Sequence, residues 1–352
     1  MRLGFTFTPV DTSTDDGPVD READFEDART IEAIAAELAK LCDEVVLIPF
    51  DRNVVGALCD THCDFVFNIS EGRSGRNRES QVPALLEVLE IPYSGSDPLT
   101  LGITQDKTVA KQLARGLGVR TPAFLQVRRL SDLSDGLPLP ADLPLFVKPN
   151  HEGSSKGVRI SSLVGDRRQL GKQVQWLLET YRQPVLVEQF LEGREFAVGL
   201  LGTDKPRIFP ITEIVVRDNG RRVPFYSYEW KGRHAKVLIC PADIPDALVD
   251  ELRQMAEVLY AGFGVREYGR VDFKLDSEGV PYFLEMNALP GLSPEFGIYT
   301  RCANTAGCSY HDLIRQILTG GLERAGMPNA ECRMPTDSEA DRVSKRGGGS
   351  DQ

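Results

Sequence analysis

No apolar run in this chain approaches the 18 or more residues of a membrane-spanning helix, so an integral membrane role is not expected. Cysteine is scarce and odd in number. The seven, at positions 42, 59, 63, 240, 302, 308 and 332, are scattered, which fits reduced thiols better than a disulfide framework. Cys59-Asp-Thr-His62-Cys63 has no second ligand pair at a spacing usable for zinc. Positive charge is also short: 41 Lys and Arg against 52 Asp and Glu give a formal net charge of −11. That balance opposes phosphate backbones and anionic lipid surfaces, so neither nucleic acid nor membrane is expected as a partner. A Walker A loop is missing, because the nearest approach, Gly165 to Gly171-Lys172-Gln173, has the wrong spacing and lacks the Ser/Thr hydroxyl. Met1 to Phe7 begins like a first strand and lacks the features of a signal peptide, which leads us to expect a cytoplasmic protein.

What is present is the composition of a soluble globular protein, 41% hydrophobic and 26% charged over 352 residues, long enough for two or three domains. Strand signals at 2–7, 44–48 and 64–67 interleave with helical ones at 27–41 and 81–89, which predicts a parallel sheet with functional groups on loops at the strand ends. Two such loops stand out, one carrying Glu26 before the first helix and one running from Asn68 through Glu71 and Gly72 to Glu79. A breaker cluster at 92–98 marks the first boundary. A helix over 104–116 carries Lys107, and strands follow at 121–127, 144–149 and 158–160. Lys148 closes an apolar strand, where a lysine either snorkels to water or serves an anion. The next residues, Glu152, Gly153, Ser154 and Ser155, form a small, flexible loop that can bend its N–H groups over phosphate oxygens or simply connect two strands. After a helix over 166–181, Glu188 follows three apolar strand residues and Glu195 reopens a strand. These acids can address two ends of one ligand across an apolar slot at Phe190 and Leu191. Residues 205–240 read as a meander of strands with an aromatic and cationic insert through Lys231, suited to a mobile lid or a surface hairpin. Helices are predicted over 245–262 and 310–318, and the tail from 326 to 352 is expected to be disordered.

The stretch from Gly269 to Gly291 organises the rest. Two alternating runs, 270–275 and 280–287, flank a turn at 276–279 and predict a β-hairpin. With Leu275 opposite Val280, Asp272 faces Phe283 and Arg270 faces Glu285, and one face gathers Arg270, Asp272, Glu285 and Asn287. Asp272 and Glu285 then lie diagonally, roughly 7–8 Å apart at Cα, close enough to converge on shared cations. Two carboxylates and an amide oxygen are hard ligands of the kind Mg²⁺ takes beside nucleotide phosphates. A solvated hairpin face is the bland alternative.

Taken together, Glu26, Gln105-Asp-Lys107, Val147-Lys148-Pro with Glu152-Gly-Ser-Ser155, Val187-Glu188 with Arg194-Glu195-Phe, Gly269-Arg-Val-Asp272, and Leu284-Glu285-Met-Asn287 with Pro290-Gly291 resemble the D-alanine–D-alanine ligase branch of the ATP-grasp superfamily. The similarity runs from residue 1 to about 320. It implies a three-domain α/β fold: an N-terminal parallel α/β substrate-binding domain (1–101), a central α+β lid domain (102–187) and a C-terminal α+β catalytic domain (188–325), with the tail at 326–352. Carried over residue by residue, Lys107 and Lys148 would hold ATP phosphates, with Glu152, Ser154, Ser155 and Lys231 also on the nucleotide. Glu188 would take the adenine amino group beside Phe190 and Leu191, and Glu195 the ribose. Asp272, Glu285 and Asn287 match the ligands of two Mg²⁺ ions, for which Mn²⁺ can substitute. Arg270 would steady the transferring phosphoryl group, and Glu26, Ser154 and Lys231 join it in the catalytic set. The resemblance also implies a homodimer.

Three departures bear on the substrate. Lys231 is followed by Gly232 where the family usually has tyrosine, which breaks a link among Glu26, Ser154 and that tyrosine. The family's usual His-Gly reads Glu71-Gly72, and after Gly291 the expected Met-Thr-x-x-Ser-Leu reads Leu292-Ser293-Pro-Glu-Phe-Gly297. With the substrate set at Glu26, Glu71, Arg270, Gly291 and Ser293, these changes suggest that Glu71 and Glu26 favour a cationic or amine-bearing acid. Arg73, Arg76 and Arg78 would meet a second carboxylate. The expected activity is an ADP-forming carboxylate–amine ligase joining amino acids, or an amino acid and a small carboxylic acid, through an acylphosphate. Its rivals are a true D-alanine–D-alanine ligase of peptidoglycan synthesis and a non-catalytic nucleotide-binding regulator; the last predicts missing metal ligands, and none of the three is missing.

Overall fold

The computed structural model describes residues 1–328 apart from 11–17, 24, 134–136, 219, 226 and 228–235, with the backbone alone of Asp218 and Lys236. Three sheets organise it. β1 (Arg2–Phe7), β2 (Glu44–Pro49) and β3 (Phe65–Asn68) pair in parallel in the order β2-β1-β3. Parallel pairing needs a crossover, and α1 (Ala28–Leu38) and α2 (Val54–Thr61) supply it. Asp27 caps α1 by accepting the Thr30 N–H at 2.8 Å. All of β3 is buried, as its unbroken Phe-Val-Phe run requires. α2 was not foreseen from the sequence.

After α3 (Gln81–Val88), the single helix expected over 104–116 is two, α4 (Pro98–Gln105) and α5 (Lys107–Gly116). Asp106 divides them. Its backbone is extended (φ −86°, ψ 97°), and its side chain caps α5 through the Val109 N–H at 3.1 Å. The break sets Lys107 and Lys111, four residues apart, on the same buried face of α5.

The second sheet is antiparallel, in the order β4 (Phe124–Val127), β7 (Val185–Gln189), β5 (Leu145–Pro149), β6 (Leu163–Val164), and α6 (Arg167–Tyr181) packs on it. Val147, Val174, Leu177 and Val187 centre its own core, each contributing about 1.5–3 kcal/mol by leaving water. The strand expected at 158–160 is absent: Ile160–Ser162 is a 3₁₀ turn in which the Ser162 hydroxyl accepts the Arg159 N–H at 3.0 Å, and β6 begins after it.

The third sheet runs β11 (Arg221–Val223), β10 (Thr212–Asp218), β8 (Glu195–Leu201), β13 (Tyr268–Leu275), β14 (Pro281–Asn287), with β12 (Lys236–Ile239) on β10 and β9 (Arg207–Ile208) on β8. α7 (Asp246–Phe263), the unforeseen α8 (Ile298–Thr305) and α9 (Tyr310–Arg324) complete it. One continuous core joins the first and third sheets, with Phe5 and Phe67 in the same cluster as Phe196, Val271 and Phe283. Two of the expected boundaries fall inside elements. The 101/102 division lies within α4, and the 187/188 division cuts β7, whose last two residues are Glu188 and Gln189. The tail from 329 on, with Cys332, lies outside the described residues.

Candidate active site

The β13–β14 hairpin forms, in a different register. Leu275 pairs with Pro281, and a bulge between Asp272 and Phe273 places Asp272 directly opposite Glu285 and Arg270 opposite Asn287. The shift starts at the turn. Asp276 and Val280 exchange backbone and side-chain hydrogen bonds (Asp276 N to Val280 O, 3.0 Å; Val280 N to Asp276 Oδ1, 2.9 Å), so Val280 belongs to the turn and not to the ladder. Leu284 is then the extra residue, and the two carboxylates face each other squarely where the expected Leu275–Val280 register would have left them diagonal.

Cations already stand around this pair. Arg270 donates Nε and Nη2 to the two oxygens of Asp272, each at 2.8 Å, and Asn287 Nδ2 donates to Asp272 Oδ2 at 3.2 Å. Lys107 Nζ lies 2.8 Å from Glu285 Oε2. Burial pushes both carboxyls up. For Glu285, Lys107 and Lys148 overcome it and hold the group down to about 2; for Asp272 burial prevails over Arg270, with the Glu285 charge adding to the upward shift. Among the described residues no group of three or more His, Cys, Asp or Glu side chains is arranged for a metal ion. A cation here would be held by the two carboxylates and the Asn287 amide, an all-oxygen set suited to Mg²⁺, and the lysine on Glu285 marks a position where positive charge is favoured.

Two adjoining cavities meet at this hairpin. The first, of about 800 Å³, is lined by the aromatic residues Phe146, Phe190 and Phe225, with Leu191, and by Lys148 and Glu188. Phe146 stacks with Phe190 at 6.1 Å and meets Phe225 edge-on at 5.0 Å, which makes a flat apolar slot. Glu188 closes it. Its Oε1 pairs with Lys148 at 2.7 Å and its Oε2 with Lys111 at 3.0 Å, and all three side chains are largely buried. Oε2 has the charge contact without hydrogen-bond alignment, so it retains acceptor capacity. Glu195 faces Lys274 Nζ at 3.3 Å, and that lysine also donates to the Pro224 carbonyl at 2.6 Å.

The second cavity, of about 1610 Å³, shares Lys107, Glu152, Ser155, Glu195 and Glu285 with the first. Glu26, Glu71, Ser154, Arg270, Gly291 and Ser293 line it, as do Asp272 and Asn287. Glu26 accepts the Leu292 N–H at 3.3 Å, and Gly291 runs so close to it that an added Cβ would lie 3.2 Å from its carboxylate. Burial is the main cause that pushes the Glu26 carboxyl up to about 7; the Leu292 N–H opposes it and Asp27 adds to it. Ser293 accepts the Phe296 N–H at 3.4 Å. Lys231 lies outside the described residues. Of the three arginines expected against a second carboxylate, only Arg78 reaches the cavity. Arg76 is exposed and pairs with Asp106 at 2.7 Å, and Arg73 lies 6.0 Å over the Phe25 ring.

Sequence reasoning missed several participants. Lys111 carried a signal, its i+4 spacing from Lys107, and Lys274 another, its alternation with Asp272 on β13. Asp20 carried none. It accepts the Gly157 N–H at 2.8 Å and the Tyr181 hydroxyl at 2.8 Å, tying the N-terminal loop to the Ser154 loop. That loop bends sharply: Ser154, Ser155 and Gly157 all have positive φ, and a Cβ at Gly157 would lie 2.4 Å from Pro149. Within it Glu152 accepts from Gln183 Nε2 at 2.7 Å and pairs with Lys156 at 2.5 Å. Asp20→Ala removes its hydrogen bonds to the Gly157 N–H of the loop and to the Tyr181 hydroxyl, and since hydrogen bonds to a charged group contribute about 1.5–3 kcal/mol each, tryptic cleavage after the buried Lys156 is expected to accelerate at least about tenfold while the melting temperature changes little.

The family model for the D-ala D-ala ligase C-terminus matches residues 116–319. An uncharacterized protein, y4sG, of Sinorhizobium fredii is 35% identical over 300 residues, covering 82% of this chain and 86% of the relative. The D-alanine–D-alanine ligase of Carboxydothermus hydrogenoformans is 31% identical over 306 residues, covering 84% and 93%. In fold, the crystal structure of D-alanine–D-alanine ligase from Bacillus anthracis complexed with ATP superposes with a TM-score of 0.69 at 23% identity, covering 93% of this chain and 99% of that one. The fold is the three-domain ATP-grasp fold, and with the site it defines an ATP-grasp ligase. The chain belongs to the D-alanine–D-alanine ligase family.

Proposed function

We propose that the chain is an ADP-forming carboxylate–amine ligase that joins amino acids, or an amino acid and a small carboxylic acid. The observation that carries this reading is the meeting of the Asp272–Glu285–Asn287 face with a lysine-lined aromatic slot on one side and a large polar cavity on the other. ATP would fit the slot with its base against Phe146, Phe190 and Leu191, where Glu188 could accept from its exocyclic amine, and Lys148 and Lys107 would lead its phosphates toward Glu285. Glu195 and Lys274 lie where the ribose would pass. We divide the chain at the ends of elements, with the central sheet of β4 to β7 as the unit that closes over the nucleotide because its core is separate.

A carboxylate is a poor acyl donor because its leaving group would be oxide. Transfer of the γ-phosphoryl group makes an acylphosphate and ADP; an amine then attacks the carbonyl carbon, inorganic phosphate leaves, and the amine gives up a proton. Arg270 lines the cavity beside Asp272 and offsets negative charge at the transferring group. Mg²⁺ bound by Asp272, Glu285 and Asn287 would offset phosphate charge in the same step. The Ser154 loop, held by Asp20, excludes water that would otherwise hydrolyse the acylphosphate. Glu26 would hold the substrate's amine. With its carboxyl near 7, it is protonated below that pH and loses its charge, so kcat/KM for the amine-bearing substrate should fall as pH drops below about 7, and Glu26→Gln should abolish that limb.

The test is ADP and phosphate release against pairs of D- and L-amino acids; no ADP with any pair overturns the reading. A second reading, a D-alanine–D-alanine ligase, is favoured by the name of the Carboxydothermus relative, and release that requires D-alanine on both sides would establish it. We also propose a homodimer in the cytoplasm, with no nucleic-acid partner. No helix of the described residues is long and apolar enough to cross a membrane.

A further inference from the structure

Between Gly291 and α8 the chain turns back on itself. The Ser293 hydroxyl accepts the Phe296 N–H at 3.4 Å, and the Ser293 carbonyl accepts the Gly297 N–H at 3.1 Å and the Thr300 hydroxyl at 2.6 Å. Gly297 permits so tight a return, since a Cβ there would lie 2.5 Å from the Thr300 hydroxyl and 2.6 Å from the Ser293 carbonyl oxygen. Leu292 gives its N–H to Glu26, and its carbonyl accepts the Tyr310 hydroxyl at 3.0 Å. The polar groups of the turn are thus largely engaged within the protein. What it adds to the wall of the larger cavity, besides the engaged Ser293, is the phenyl ring of Phe296.

Phe296 is 70% exposed, the one aromatic side chain among the described large apolar residues left exposed. A single apolar residue scattered on a surface needs no explanation, but this one has company. Phe25, Leu289, Pro290 and Ile298 line the same cavity, and Leu289 and Ile298 are otherwise buried. This apolar wall adjoins Glu26: Phe25 precedes it in the chain, and the Leu292 N–H binds it from the other side. A polar side chain set against such a wall would lose its water without gaining a partner. A methyl group would leave most of the wall wet, whereas a large apolar side chain would cover it.

We propose that the amino acid whose amine Glu26 holds carries a large apolar side chain, branched aliphatic or aromatic, which packs on Phe296, Leu289 and Ile298. This rests on the ligase reading for what the cavity does, and adds the class of substrate and the residue that selects it. Space does not oppose it. The cavity, at about 1610 Å³, exceeds the roughly 300–1,000 Å³ of an ordinary small-molecule site.

ADP release is to be measured with leucine and phenylalanine, as both stereoisomers, against alanine for size and asparagine for polarity, each paired with alanine. Asparagine has nearly the outline of leucine, so that comparison isolates apolarity from room. The two apolar acids should exceed the others in kcat/KM by about ten- to a hundredfold, the value of burying a side chain of this size. Phe296→Ala should collapse that ratio, mainly through KM of the apolar acid, and Phe296→Leu should restore most of it. Because the ring is exposed, both variants should melt close to wild type. A purely structural role for the turn would instead depress all four acids together, and in kcat. Calorimetric titration of leucine into protein loaded with a non-hydrolysable ATP analogue separates this inference from the reading beneath it. Leucine binding that weakens at least about tenfold in Phe296→Ala, with no ADP from any pair, keeps the inference and sinks the ligase reading. Turnover of alanine or asparagine as fast as that of the apolar acids, unmoved in ratio by Phe296→Ala, sinks the inference and keeps the reading. Neither turnover nor binding of any of the four acids sinks both.

Discussion

A Glu285→Gln enzyme is expected to fold normally, retain nucleotide in the aromatic slot and release essentially no ADP, with kcat lowered at least about thousandfold. The substitution keeps the shape and one acceptor but removes a charge that the site works to maintain. Burial alone would push the Glu285 carboxyl up; Lys107 at 2.8 Å and Lys148 hold it down to about 2. Gln leaves Lys107 without its counter-charge and leaves Asp272, already matched by Arg270, as the one carboxylate on the hairpin face. The expected signature is therefore a loss in kcat larger than any change in nucleotide affinity, measured by coupled ADP release alongside ATP-analogue binding and a melting curve. Wild-type turnover in this variant would remove the basis for placing phosphoryl transfer at β13 and β14.

How far this site was legible depends on whether each residue's signal was local. Alternation along β13 and β14 put Arg270 with Asp272 and Glu285 with Asn287, because side-chain direction in a strand has period two whatever its partner; that the two pairs share a face depends on the register. The register was not legible. It turns on Asp276 closing a five-residue turn with Val280 and on the extra residue Leu284, and a bulge leaves no mark in apolar–polar alternation. Lys148 and Glu188 were legible as polar residues ending apolar strands, yet their pairing with each other required knowing that β5 and β7 are neighbours. The break at Asp106 could have been read from its capping position before Lys107. Asp20 was invisible, since its partners Gly157 and Tyr181 lie more than 130 residues away. α8 lies just after the segment that departs from the family pattern, where the resemblance gave least guidance.

Lys111, Glu188 and Lys148 make a buried ion triad under the aromatic slot, and Glu188→Gln is expected to cost about 3–5 kcal/mol of folding stability, because it strands two buried cations. The pH dependence gives the sign. Burial would raise the Glu188 carboxyl, but Lys111 and Lys148 outweigh it and depress it from 4.5 to about 2. Its contribution is therefore complete above pH 4.5 and is lost as pH falls toward 2, so the gap in urea midpoint between wild type and Glu188→Gln should narrow across that window. Lys111 moves the other way from an ordinary paired lysine. Burial lowers it from 10.5 to about 8 even with Glu188 beside it, so the folded protein gives up that proton first, and this group adds stability as pH rises from about 8 toward 10.5. A triad of this kind is weak evidence for stability as such, since apolar replacements of similar volume are often neutral. Lys111→Met with Glu188→Leu should accordingly recover most of the folding loss while leaving the slot unable to match the exocyclic amine. Stability restored without nucleotide binding would assign the triad to recognition; stability and binding restored together would assign it to packing alone.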